Sequence, residues 1–226
     1  MKFEGYDPKA ISFLKSLKRN NRREWFQPRK EKYEELIKFP TQDLISDLAV
    51  ICAKDLPNVI FDPKKSLYRI YRDVRFSNDK SPYKTHVAAS FALRGAGKKS
   101  EGPGYYFHVE PGEVFVGAGV YMPSSEQTRK FRAFVIEHSK EYLAVVNSKS
   151  FKKNFGEIQG DKLKTTPRGI DENHPMIEHL KHKQFFIHCT LPEKDAFNPM
   201  LPQKVAKKFI AMKDFVEMLE KAFALW

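Results

Sequence analysis

Between Arg69 and His86 the chain reads RIYRDVRFSNDKSPYKTH. Arg69, Arg72, Arg75, Lys80 and Lys84 share it with Asp73, Asp79, Tyr83 and His86. That mixture can hold an anion: guanidinium groups grip phosphate or carboxylate in bidentate fashion, and lysines add point charges. Tyr83 can stack on a ring or hydrogen-bond. Asp73 can orient the cations or, with His86, move protons. The plainer reading is a set of surface ion pairs, each contributing about 0–1 kcal/mol. So many different functional groups exceed what a connector needs, and loops on a rigid sheet commonly carry function.

A second group follows from strand parity. In YYFHVE, Tyr105, Phe107 and Val109 share one face, and Tyr106, His108 and Glu110 share the other. In HVAASFAL, Val87, Ala89, Phe91 and Leu93 oppose His86, Ala88, Ser90 and Ala92. In VFVGAGVY, Val114, Val116, Ala118 and Val120 oppose Phe115, Gly117, Gly119 and Tyr121. If the second faces coincide, Ala88, Ser90, Gly117 and Gly119 form a floor. Tyr106, His108, Glu110 and His86 then stand around it. Glycines inside strands mark close approach of a ligand or of another backbone, and a covering helix is the competing occupant. The expected site is metal-free. His86, His108 and Glu110 form the alternative, a two-histidine, one-carboxylate metal set.

The elements that must position these residues fall into three parts. YDPKAISFLKSLKRNN opens with Asp7 as N-cap and Pro8 at the first helical position. Helical spacing continues through Tyr33, Leu36 and Ile37 and again through Leu44, Ile45 and Leu48, with Pro40 as a kink or a break. The middle changes period: SLYRIYRD, THVAASFAL, GYYFHVEP and EVFVGAGVYM read as four strands of an antiparallel meander, the last two joined by EPGE. Helices return after residue 124, with a further strand in QFFIHCTL. A terminal helix carries Val205, Phe209, Met212, Val216, Leu219 and Phe223 on one stripe. The expected fold is α+β: a mainly antiparallel sheet of four to five strands, flanked by N-terminal and C-terminal helices. It is read as a single domain over 1–226, with helices over 1–56, strands over 66–122, and helices plus one strand over 124–226.

Composition narrows the partners. Among 226 residues, 40 Lys+Arg against 28 Asp+Glu give a net charge of +12, which favours an anionic partner. Hydrophobic residues at 41%, with 19 Phe, support a packed core. Cys52 and Cys189 sit in apolar runs and read as free thiols, so a reducing, cytoplasmic setting is expected. No apolar run is long enough for a membrane span, and the N-terminus lacks the pattern of a secretion signal. GAGKKS, Gly95 to Ser100, fails as a phosphate loop: the first glycine position is Ala92, and Lys99 follows Lys98. His188 beside Cys189 lies in an apolar run, a poor setting for a nucleophile.

The blocks NNRREWF, YRIYRDVRFSNDKSPYKTH, GYYFHVEPG with FVGAGVYMP, and TPRGID leading into HPMIEHLKHKQF span almost the whole chain in order. Together they resemble domain-of-unknown-function family 2461. The resemblance implies a single-domain, bacterial-type protein and brings no activity, cofactor or catalytic residues with it. It adds Arg168, beside Gly169 in TPRGID, as a further anion donor from a shared block.

The functional expectation is binding or turnover of a small anionic ligand, phosphorylated or nucleotide-like. Arg69, Arg72, Arg75, Lys80, Tyr83, Lys84, Tyr106 and Arg168 would hold it. His86, His108, Glu110 or Asp73 would carry any proton transfer. One alternative is a nucleic-acid-binding module, with Tyr68, Tyr71, Phe76 and Tyr83 stacking on bases. The other is an interaction scaffold without a ligand. Whether catalysis occurs, the cofactor and the oligomeric state do not follow from the sequence.

Overall fold

The computed structural model describes residues 2–95 and 102–224, so most of the GAGKKS loop lies outside the described residues. Helix α1 (Pro8–Arg19) starts as its sequence dictates. The Asp7 side chain accepts the Lys9 N–H, and Ile11, Phe13, Leu14 and Leu17 turn into the core. A second helical run changes winding along its length. It passes through α2 (Arg23–Phe26), a 3-10 turn (Gln27–Arg29), α3 (Lys30–Tyr33), a π turn (Glu34–Lys38) and α4 (Phe39–Ile51). Pro40 therefore sits inside a continuous helical path. It supplies no N–H and crowds the carbonyl four residues back, and a locally wider turn just before it accommodates both effects. Buried Thr41 ties the same stretch down, donating to the Ile37 carbonyl at 2.6 Å and pairing with the Tyr6 hydroxyl at 2.8 Å.

Four strands form one antiparallel sheet in the order β1-β2-β3-β4: β1 (Val87–Ala92), β2 (Gly104–Glu110), β3 (Glu113–Val120) and β4 (Phe185–Pro192). The alternation read from the sequence holds. Tyr105, Phe107 and Val109 are buried, while Tyr106, His108 and Glu110 are half-buried. The segment SLYRIYRD differs from expectation. It makes isolated bridges, Leu67 to Ala89 and Tyr71 to Tyr83, instead of a strand. Thr85 and His86 bend between those bridges and interrupt the ladder.

The remaining helices are α5 (Ser125–Glu137), α6 (Ser139–Val146), α7 (Lys149–Phe155), α8 (Ile177–Leu180), α9 (Leu201–Ala211) and α10 (Lys213–Ala224). A capping box of Ser124 and Gln127 starts α5. The expected terminal helix is two helices interrupted at Met212, and its stripe of Val205, Phe209, Met212, Val216 and Leu219 is fully buried. Among the described residues no helix is long and apolar enough to cross a membrane.

The chain gathers into two compact units. The first comprises Met1–Phe91, Tyr106–Val116 and Thr190–Lys208; the second comprises Ala92–Tyr105, Gly117–Cys189 and Phe209–Trp226. In the first, Phe13, Phe26, Tyr33 and Tyr83 form an aromatic core, with Phe26 stacked on Tyr83 at 4.2 Å. In the second, α5, α6 and α10 pack on one another. Also in the second unit, Phe131 stacks on Phe185 at 3.9 Å. Both cysteines are free thiols. Cys52 is buried, and burial pushes its thiol up to about 12; Cys189 is half-buried.

Candidate functional site

In the loop that follows Ile70 each aspartate is taken up by an arginine. Arg75 grips Asp73 in bidentate fashion, Nε to Oδ1 at 3.0 Å and Nη2 to Oδ2 at 2.7 Å. That contact lowers the Asp73 carboxyl to about 2, so it is a weak base near neutrality. Arg72 pairs with Asp79. The Asp79 carboxyl also accepts the Ser81 N–H at 2.9 Å. Ser81, more than Arg72, holds it well below the usual carboxylate range. The Lys80 ammonium donates to the Val74 carbonyl at 3.0 Å, and Lys84 donates to the Arg69 carbonyl at 2.8 Å. Burial, with Arg69 nearby, lowers the proton affinity of Lys84. Phe76 at the loop tip is 96% exposed, beneath the Arg75 guanidinium.

Tyr83 is a core residue, 1% exposed, and its ring is taken up by Phe26 and Tyr71. Asn21 fixes it in place. The Asn21 amide donates to the Tyr83 carbonyl at 2.9 Å, and its oxygen accepts the Tyr83 N–H at 3.0 Å. The side chain thereby satisfies both backbone groups of Tyr83, as a neighbouring strand would. This contact joins the NNRREWF and SPYKTH blocks.

Beside this anchor lies a cleft of about 520 Å³, a volume suited to a small-molecule ligand. Its lining includes the core side chains of Phe26, Tyr33 and Ile70, together with three exposed rings, Phe39, Tyr68 and Tyr71. Lys30, Lys38, Lys64 and Arg69 also line it, against one carboxylate, Glu34. Lys38 pairs with Glu34 at 2.8 Å. Among the described residues Lys30, Lys64 and Arg69 have no carboxylate within ion-pair distance. Of the expected anion donors only Arg69 lines this cleft. The others on the helical side were legible as a stripe: Phe26, Lys30, Glu34, Lys38 and Gln42 recur every four residues, which is one face of a helix.

The polar sheet face assembles much as parity implies. The rings of His86 and His108 are 5.2 Å apart, and His108 stacks on Phe115 at 4.8 Å and 7°. The Tyr106 hydroxyl meets His108 Nδ1 at 3.2 Å, and His108 Nε2 faces Glu110 Oε1 at 3.7 Å. Burial lowers the proton affinity of His86, opposed by Glu110, and raises the Tyr106 phenol to about 12. The Tyr68 ring lies 6.4 Å from that of Tyr106, with the Lys84 ammonium 5.1 Å from the Tyr68 ring. Tyr68 thus belongs to the cleft lining and to the edge of this face.

Two placements bear on the expected floor and on the alternative metal set. Gly119 is needed by a neighbouring strand: a Cβ there would stand 2.2 Å from the Phe185 carbonyl oxygen, and its φ is +121°. Among the described residues, the potential metal-ligating atoms that come close together are those of His108, Glu110 and Glu113, whereas the alternative set joined His108 and Glu110 to His86. Arg168 is exposed next to Gly169 in the second unit.

Residues 9–218 match the family described as conserved hypothetical protein (DUF2461), and the chain belongs to that family. No curated protein matches it.

Proposed function

We propose that this protein binds a small anionic ligand with a planar ring, phosphorylated or nucleotide-like, in the cleft beside Tyr68. The observation that carries the reading is the lining. Three exposed rings and four cations surround about 520 Å³, and one carboxylate answers them. Phe39, Tyr68 and Tyr71 offer faces on which a base can stack. Lys30, Lys64 and Arg69 offer charge to a phosphate. The π turn beside the cleft is the kind of irregular winding that recurs at functional sites. His86 and His108 stand beyond Tyr68 as the groups for any proton transfer. They are the nearest basis for a turnover reading, and binding is the primary claim.

The test is a thermal-shift screen with nucleotides and phosphorylated sugars, repeated on Tyr68→Ala and Arg69→Ala. Both residues are exposed, so both variants should fold and both should lose the ligand-induced rise in Tm. A rise that survives in both variants refutes the cleft. The nucleic-acid alternative draws on Phe76 and Arg75 at the loop tip. It predicts binding that grows with strand length, falls steeply with salt and is lost on Phe76→Ala.

A further inference from the structure

We infer that the β2–β3 hairpin carries a divalent-metal site, built from His108, Glu110 and Glu113, for a first-row transition cation. The chain places these residues by a simple route. His108 and Glu110 are two apart on β2 and so share a face. Pro111 and Gly112 turn the chain, and Glu113 opens β3 opposite Glu110. One ligand atom from each residue lies within 4.8 Å of the others, and His108 Nε2 to Glu110 Oε1 is 3.7 Å. Ligands about 2.0–2.2 Å from one ion stand about 3–4 Å apart, so small side-chain rotations close the set.

Two further observations point to a cation. The His108 ring is already oriented. Phe115 stacks on it and Tyr106 occupies Nδ1, which leaves the other ring nitrogen turned toward the carboxylates. That is how a second group holds a metal-binding histidine. The carboxylates are also placed against electrostatic preference. Glu110 and Glu113 face each other across the turn, where like charges repel. In a chain of net charge +12, neither has a lysine or arginine partner among the described residues. A bound cation supplies the missing positive charge. One imidazole with two carboxylates suits Zn²⁺ or Mn²⁺, and the partial exposure of both glutamates leaves coordination positions for water.

The experiment titrates chelator-stripped full-length protein with Zn²⁺, and separately with Mn²⁺, by calorimetry and thermal melting. The expected result is saturable binding of one equivalent of at least one ion, with a rise in Tm. Glu113→Gln and His108→Ala should each weaken it at least about tenfold. Without metal, Glu113→Gln should be no less stable than the parent, because it relieves the repulsion. That readout separates a ligand from a merely structural residue. It also keeps the test intact if His108→Ala fails to fold. His138→Ala removes a half-buried histidine beside Glu141, 4.0 Å away in the second unit, and should leave the affinity unchanged. Absence of saturable binding by either ion overturns the site. So does affinity that survives Glu113→Gln, or that falls with His138→Ala instead.

Discussion

His182 should make the protein acid-sensitive well above the carboxylate range. The side chain is 3% exposed, and its Nδ1 has no hydrogen-bond partner among the described residues. Burial first, then Lys162 and His179, lower its affinity for a proton to about 4, with Glu178 opposing them. An unfolded histidine titrates near 6.5. Between those values the unfolded chain binds the proton and the folded chain does not, so stability falls as pH drops. The linkage integral gives a loss of about 2 kcal/mol from pH 7.5 to pH 5, rising to about 3 kcal/mol below pH 4. The perturbation is His182→Phe, which keeps a ring in the site and removes the titration. Urea unfolding of parent and variant at pH 7.5 and pH 5 gives the double difference, and the parent should lose about 2 kcal/mol more than the variant. NMR titration of the histidine rings should place His182 near pH 4. A parallel loss in both proteins, or a His182 midpoint near 6.5, refutes the reasoning.

Other consequences follow from single contacts. Gly119→Ala drives a methyl against the Phe185 backbone and should cost more than about 3 kcal/mol. Gly169→Ala, at φ +81° with nothing within 4 Å, should cost only the backbone strain of about 1–2 kcal/mol. Denaturant midpoints compare the two, and equal losses would contradict the steric account. Asn21→Ala removes both bonds to Tyr83 and should cost about 1–3 kcal/mol. It should also speed hydrogen exchange at the Tyr83 amide, and unchanged exchange would show that Asn21 does not hold that segment.

The local rules were legible wherever residues a few positions apart decide the outcome. Asp7 and Pro8 start α1 as their chemistry requires, and the period-two pattern of β2 places His108 beside Tyr106 and Glu110. What escaped the sequence was pairing over distance. Asn21 meets Tyr83 across 62 residues, and the 67–71 segment lines a cleft with a helical face about thirty residues earlier. No local periodicity encodes such a meeting. Loop cations misled for a related reason: residue type advertises an anion site, but Asp73 and Asp79 in the same loop engage two of the three arginines. Glu113 escapes parity within a single strand, because its closeness to His108 and Glu110 arises across the turn between two strands. Gly119 carried the correct signal of close approach, and the approaching group is the backbone of the next strand.

The central claim, that the cleft beside Tyr68 receives an anion, is tested most directly by diffraction from crystals soaked in tungstate, a heavy phosphate mimic. Anomalous density should appear in the cleft within reach of Lys64 and Arg69, and should vanish in Arg69→Ala crystals. Density confined to Arg72, Arg75 or Arg168, or none at all, would contradict the account.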